Sequence, residues 1–133
     1  MQIPPSLQQE ISLSKVIVHP GRYAYLKTDK QILGDHFLIS KDADEITIIT
    51  EEKNVDTVNF SEATKWFKLF EIKAHVPFLT VGFIATITQA IAEKGLNVLV
   101  VCTYSKDYIL IRDEGSNDAI QALKDIGFKV TEE

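Results

Sequence analysis

Two segments in the second half of the chain repeat one pattern, and this repetition restricts the fold more than any other feature. Residues 93–98 and 125–130 each contain a charged helix end, a glycine, an apolar residue, a polar residue and a β-branched residue. Glycine often follows the last turn of a helix because it adopts the left-handed conformation without strain. We therefore expect each segment to lead from a helix into a strand.

Hydrophobic periodicity places the other elements around these two helix exits. Residues 65–73 mix aromatic and β-branched residues with polar ones, which is typical of a strand. Helical spacing of apolar residues over 81–94 and 117–126 predicts two amphipathic helices, with Thr80 and Ser116 as N-caps. Further strands are predicted at 98–102, 108–112 and 128–131.

The order strand, helix, strand, strand, helix, strand is that of a ferredoxin-like α+β module. Right-handed crossovers would place both helices on one face of a four-stranded antiparallel sheet. In that topology residues 98–102 form an edge strand that is apolar on both faces. Such an edge needs a cover, either another copy of the sheet, from this chain or a second subunit, or a loop.

Residues 81–85, 91–98 and 103–111 resemble an ACT domain of the aspartate-kinase-like branch. That branch includes small bacterial proteins made of two ACT-like halves and the arginine-sensing regulators of the TOR pathway. The most specific part is the phrase Thr-Tyr-x-x-Asp-Tyr-x-Leu at 103–110. The resemblance covers residues 64–131 and implies a βαββαβ ACT module.

The first part of the chain resembles the first half of the same two-part proteins, but more weakly. The similarity rests on residues 23–26 and 37–49, and one short helix is expected near 5–11. We therefore predict a degenerate N-terminal ACT-like half at 1–62 and an ACT domain at 63–133.

The resemblance also implies a ligand site, because ACT modules bind amino acids or similar metabolites, usually between two modules. Amide groups at the start of the first helix would attract a carboxylate. Asp107 could hold an ammonium group by a charge-assisted hydrogen bond. The matching ligand-binding residues are Phe78, Thr80, Val81, Gly82, Phe83, Thr103, Tyr104, Lys106 and Asp107.

Each of these residues also has a structural interpretation. Gly82 would allow close packing of helix on sheet, and Asp107 would hold the hairpin turn by bonding nearby amides. Phe83 and Tyr104 would be core or interface aromatics. Lys106 would neutralise Asp107 without any ligand.

Composition and motifs bear on the remaining function classes. A formal charge of −5 does not favour nucleic acid or an anionic membrane surface. We expect no signal peptide, no membrane span and a cytoplasmic location. The single cysteine, Cys102, excludes an internal disulfide and is expected to be a buried small hydrophobe.

Catalytic and metal-binding patterns are missing from the sequence. The histidines at 19, 36 and 75 are scattered, without a second ligand at metal-site spacing. No nucleophile or phosphate-loop motif occurs. We therefore expect no enzyme activity, no metal and no cofactor.

Two functions remain. The first is a non-catalytic regulatory protein that binds an amino acid, forms a homodimer and acts on a protein partner. The alternative is a ligand-free ACT-like module for interaction or oligomerisation.

Overall fold

The fold is given by a computed structural model that describes residues 2–74 and 80–133. These residues form three α-helices and eight β-strands, which confirms the predicted α+β class. They divide into a large unit, residues 1–20 with 68–133, and a small unit, residues 21–67. No helix in this described part of the chain is long and apolar enough to span a membrane.

The large unit contains all three helices. Its elements are α1 (Pro5–Leu13), β1 (Lys15–Val18), the second part of β5 (Glu62–Lys73), α2 (Phe83–Ala92), β6 (Leu99–Cys102), β7 (Asp107–Arg112), α3 (Ser116–Asp125) and β8 (Lys129–Glu132). Every strand and helix predicted between residues 65 and 131 is present, with bounds shifted by at most a few residues.

The sheet of the large unit has the order β6-β7-β5-β1-β8. Strand β1 is antiparallel to β5, where Val16 pairs with Ile72, and parallel to β8, where Val16 pairs with Val130. The predicted four-stranded antiparallel sheet is therefore wrong in one respect, since a strand from the N-terminal region is inserted into it. Local periodicity identifies strands, but it does not reveal that a distant four-residue strand separates two of them.

One hydrophobic core lies between this sheet and its helices. Strand β5 contributes Phe70 and Ile72, and α1 contributes Leu7 and Ile11, all at most 5% exposed. The remaining buried members come from the other strands and helices and from Phe128: Val16, Val18, Phe83, Ile87, Ile91, Ile109, Ile111, Ala119, Ala122, Leu123 and Phe128. Residues 1–20 thus complete the core of the ACT-like half.

The glycines that follow α2 and α3 adopt the predicted left-handed conformation. Gly95 has a φ of 79° and Gly127 a φ of 114°. The amide of Gly127 donates to the carbonyl of Lys124 at 3.0 Å, which closes the last turn. The sequence therefore specifies where both helices end.

The predicted N-caps are wrong. Gly82 precedes α2 and Gly115 precedes α3, and neither helix start has a side-chain capping bond. Ser116 is already helical, with φ −63° and ψ −37°. The left-handed Gly82 precedes α2, whereas the 3₁₀ turn Asp113–Gly115 leads directly into α3.

The small unit consists of strands and a short 3₁₀ helix. Its elements are β2 (Tyr23–Thr28), β3 (Leu38–Lys41), β4 (Ile46–Glu51), the 3₁₀ helix Glu52–Thr57 and the first part of β5. The antiparallel order β3-β4-β2-β5 buries a small core of Ala24, Leu26, Ile48, Val55 and Val58.

The two units divide the chain differently from the predicted halves 1–62 and 63–133. Strand β5 begins at the predicted boundary and continues from Glu62 to Lys73. The predicted helix near residues 5–11 is α1, and its buried residues belong to the large unit. The division into halves at residue 62 stays a prediction.

Candidate ligand site

The start of α2 is fixed by the backbone conformation of Gly82. Its φ is +89°, in the left-handed region that favours glycine. Its carbonyl accepts the amide of Thr86 at 2.9 Å and the Thr86 hydroxyl at 2.8 Å. A Cβ added at Gly82 would meet only Leu7 Cδ2, at an ordinary 3.9 Å. Conformation, rather than close packing, therefore requires glycine here.

Replacing Gly82 should test this distinction. We expect Gly82→Ala to lower the free energy of unfolding by about 1–2 kcal/mol, because alanine is strained in the left-handed region. Gly82→Asn should cost clearly less, since asparagine tolerates that region better. Urea denaturation of both variants measures the difference. Equal losses of free energy of unfolding would mean that the space around residue 82, and not its backbone conformation, requires glycine there.

The residues on either side of Gly82 differ in exposure. Val81 is 93% exposed and Thr80 is half-buried. Phe83 is only 3% exposed and packs edge-to-face on Phe128, with ring centroids 5.9 Å apart. Phe83 thus holds the helix start in the core. The predicted contact Phe78 lies outside the described residues.

The other predicted ligand segment is the hairpin turn between β6 and β7. The amide of Thr103 donates to the carbonyl of Lys106 at 2.8 Å, and the amide of Lys106 donates to the Thr103 hydroxyl oxygen at 3.2 Å. Thr103 therefore closes this turn. Tyr104, at its tip, is 88% exposed.

Asp107 is half-buried at the start of β7 and pairs in register with Cys102 at the end of β6. Desolvation of the thiol and its hydrogen bond to the Asp107 carboxylate raise the pKa of Cys102 to about 11. The residue itself is exposed, so the predicted burial of Cys102 is wrong. On this edge strand alternate residues face solvent, and Val100 and Cys102 lie on that exposed face.

Lys106 reaches across to β5, where it meets an acidic residue that sequence reasoning did not select. Its Nζ lies 3.4 Å from Glu71 Oε2, and His19 Nε2 lies 2.9 Å from Glu71 Oε1. Glu71 is 5% exposed. The only signal in the sequence is a single acidic residue among apolar neighbours in a predicted strand.

The charges of this cluster stabilise one another. Burial opposes ionisation of Glu71, but His19 and Lys106 together lower the pKa of its carboxyl below the usual value. Tyr108 and Glu71 raise the pKa of the Lys106 ammonium. The cluster therefore holds an ionised carboxylate in a nearly water-free position.

Glu71 should make the free energy of unfolding depend on pH in the acidic range. Its pKa is lower in the folded chain than in the unfolded one, so its contribution is present above about pH 4.3 and is lost as the pH falls through the folded value. Urea midpoints of the wild type should therefore fall between about pH 5 and 3. The urea midpoint of Glu71→Gln should fall less steeply over this range. The midpoint of Glu114→Gln, at an exposed site, should fall as that of the wild type does. Parallel curves for all three would contradict this role.

His36, in the small unit, is held in place by hydrogen-bond contacts of both ring nitrogens. Its Nε2 lies 2.7 Å from the carbonyl of Leu33 and its Nδ1 lies 2.9 Å from the Thr50 hydroxyl. The ring forms part of the wall of a cavity of about 570 Å³ with Asp35 and Glu51. Within the described residues, no group of three or more His, Cys, Asp or Glu side chains could hold a metal ion.

Comparison with known proteins agrees with the topology of the large unit. The ACT domain family model matches residues 64–125. This segment therefore resembles an ACT domain. No curated protein sequence matches the chain.

Solved structures resemble the whole chain at low sequence identity. A Vibrio cholerae protein of unknown function, with a possible transport role, has a TM-score of 0.76 at 20% identity, covering 92% of this chain and 96% of its own. An Agrobacterium tumefaciens protein has a TM-score of 0.71 at 20% identity, with 90% and 93% coverage. The ligand-free regulatory subunit of aspartate kinase from Thermus thermophilus has a TM-score of 0.59 at 11% identity, with 85% and 95% coverage.

These similarities establish the fold. The chain has a ferredoxin-like, ACT-type architecture of two ACT-like halves, as predicted. The second of these halves is the better preserved, because its two helices and four strands follow the ACT order. The small unit, residues 21–67, has no α-helix.

Proposed function

We propose that this protein is a non-catalytic regulator that binds an amino acid through the start of α2 and the β6–β7 hairpin. The observation that carries the proposal is the uncapped start of α2. Gly82 offers no side-chain cap to the first amides of the helix, so these amides remain available to a carboxylate. The absence of a side chain at Gly82 also lets a ligand approach the backbone.

The hairpin would supply the opposite charge. Asp107 is half-buried and borders the turn closed by Thr103. A carboxylate in such a position can accept a hydrogen bond from the ammonium group of an amino acid. The exposed side chains of Val81 and Tyr104 are surfaces that a ligand side chain could contact.

The resemblance to arginine-sensing regulators of the TOR pathway makes arginine the first ligand to test. We place the protein in the cytoplasm, where an amino-acid sensor would meet its ligand. Regulation requires that the ligand favour one state over another, and the chain would pass that change to a protein partner.

Strand β6 suggests how a second subunit would bind. In the described structure β6 pairs with β7 alone, and Val100 on its outer face is 38% exposed. An apolar edge strand is a template for pairing with another chain. We propose a homodimer in which this edge is covered, which would also bring two ligand sites close together.

The alternative function uses the same edge without a ligand. In that case the protein is an interaction module, and β6 builds the dimer or a complex with another protein. The ion pair between Lys106 and Glu71 favours this alternative, because Lys106 already supplies a cation beside the hairpin.

Thermal unfolding with each of the twenty amino acids separates the two functions. A ligand at about 100 times its dissociation constant adds about 2.7 kcal/mol, which should raise the Tm by roughly 10 °C in a chain of this size. Asp107→Ala should weaken binding by about 10- to 100-fold, because a hydrogen bond between charged groups is lost. Asp29→Ala, which removes a carboxylate that is 82% exposed in the small unit, serves as the control.

Two outcomes would count against the proposal. If no amino acid shifts the Tm of the wild type, the sensor function is wrong and the interaction module is favoured. If an amino acid binds but Asp107→Ala keeps the full affinity, the ammonium contact is assigned to the wrong residue.

A further inference from the structure

The edge formed by β6 differs from the other strand edges because it carries no charged side chain. Residues 95–105 contain no charged residue, and β6 lies within this segment. In contrast, the edge strand β8 contains Lys129 and Glu132, and the edge strand β3 ends with Lys41. Charged residues on an edge strand oppose pairing with another chain. Among the edges that the described residues form, β6 is therefore the best suited to such pairing.

The hydrogen bonds of the hairpin indicate which backbone groups of β6 are available for pairing. The amide of Thr103 donates to the carbonyl of the directly opposite Lys106 at 2.8 Å. In an antiparallel pair, residues that exchange such bonds alternate with residues whose N–H and C=O groups point away from the neighbouring strand. Along this register Val101 bonds to β7, whereas the N–H and C=O groups of Val100 and Cys102 point to the free edge.

The side chains of Val100 and Cys102 lie on the same side of the sheet as the helices. Val100 pairs with Ile109, which belongs to the core between the sheet and the helices, and the side chains of paired residues share one face. Cys102 pairs with Asp107, and both lie two positions further along their strands, on the same face. The free edge of β6 therefore borders the side of the sheet on which the proposed ligand site lies.

The apolar run at 98–102 is complementary to itself. When two copies of a strand pair about a two-fold axis, the residue on the axis faces its own copy, and residues at equal distances on either side face each other. With Val100 on the axis, residues 98–102 face only one another, so every apolar residue of the run meets an apolar residue. With Val101 on the axis, Leu99 would face the polar Thr103.

We propose that two copies of this chain join through antiparallel β6 strands, with the two-fold axis at Val100. The inference rests on the homodimer of the proposed function, to which it adds the register. In this register Val98 of the partner subunit faces Cys102. Asp107, Cys102 and the partner's Val98 then form one row across the joined sheet. The partner subunit thus contributes an apolar wall to the proposed ligand site.

Disulfide cross-linking of the full chain, in a Cys102→Ser background, tests the register. We expect Val100→Cys to give a covalent dimer on mild oxidation, because the two Cα atoms at the axis would be about 5.5 Å apart, within reach of a disulfide. Val101→Cys should give little, because its two copies would be offset by two residues, roughly 8 Å apart. Non-reducing gel electrophoresis measures the covalent dimer.

Sedimentation equilibrium tests whether this edge holds the dimer. The wild type should have twice the mass of the chain, and Val100→Lys should be monomeric because two ammonium groups would meet at the axis. Ile39→Lys is the matched control, since Ile39 is an apolar residue on the edge strand β3 and is 50% exposed. It should remain dimeric. Circular dichroism checks that both variants are folded.

The outcomes separate this inference from the proposed function. A dimer that cross-links through Val101→Cys, or at neither position, would overturn the register and leave the homodimer standing. A monomeric wild type, or a dimer that Val100→Lys does not dissociate, would overturn the β6 interface itself. A dimer that cross-links through Val100→Cys, but whose Tm no amino acid shifts, would support the interface and refute the sensor function.

Discussion

A fragment of residues 63–133 is expected to remain unfolded in water, although it includes the entire ACT match at 64–125. It lacks α1 and β1, and with them Leu7, Ile11, Val16 and Val18, four of the fifteen buried members of the core. Burying one such side chain contributes about 1.5–3 kcal/mol, so their loss costs roughly 6–12 kcal/mol. That is comparable to the whole stability of a typical domain, about 5–15 kcal/mol.

Far-ultraviolet circular dichroism and urea titration of the fragment measure this effect. The full chain is the control, and a synthetic peptide of residues 2–20 added to the fragment should restore part of the β-structure. The peptide supplies β1, which pairs with both β5 and β8. Cooperative unfolding of the fragment without the peptide would show that β1 is dispensable and would contradict the sheet order described above.

Phe70→Ala is expected to give the largest loss among single substitutions. Phe70 is 0% exposed on β5 and belongs to the core between the sheet and the helices. Truncating a buried phenylalanine costs about 3–5 kcal/mol, because burial is lost and a cavity remains. In a domain of ordinary stability this removes a large share of the folding free energy.

Phe60→Ala makes the same chemical change at a position that is 37% exposed, and serves as the control. Its loss of free energy of unfolding should be less than half that of Phe70→Ala. Folding buries less apolar area at Phe60 than at Phe70. Urea denaturation of both variants gives the comparison. Similar losses would mean that the core of the large unit is not where the structure places it.

Local patterns were sufficient to predict most of the second ACT-like half. Apolar spacing located α2 and α3, and Gly95 and Gly127 marked their ends with the expected positive φ. These features depend on neighbours within a few residues, which a single sequence displays directly. The insertion of β1 depends on pairing with β5, more than fifty residues away in sequence (Val16 with Ile72), and no local pattern encodes that pairing.

The candidate site was predictable only in outline. The resemblance indicated the turn at Gly82 and the hairpin that ends at Asp107, and the structure describes both. Glu71 was missed because its burial depends on the tertiary fold, and its partners His19 and Lys106 come from distant parts of the chain. A lone acidic residue in a strand pattern usually faces solvent, so no local pattern distinguishes Glu71 from a surface residue.

Mapping of backbone amide shifts by NMR tests the central claim most directly. The protein has 133 residues, and a titration with the amino acid that raises the Tm most can be followed residue by residue. We expect the largest shifts at Gly82, at Phe83 and in the turn at 103–107. Shifts centred instead on the His36 cavity of the small unit, or no shifts with any amino acid, would contradict the proposed site.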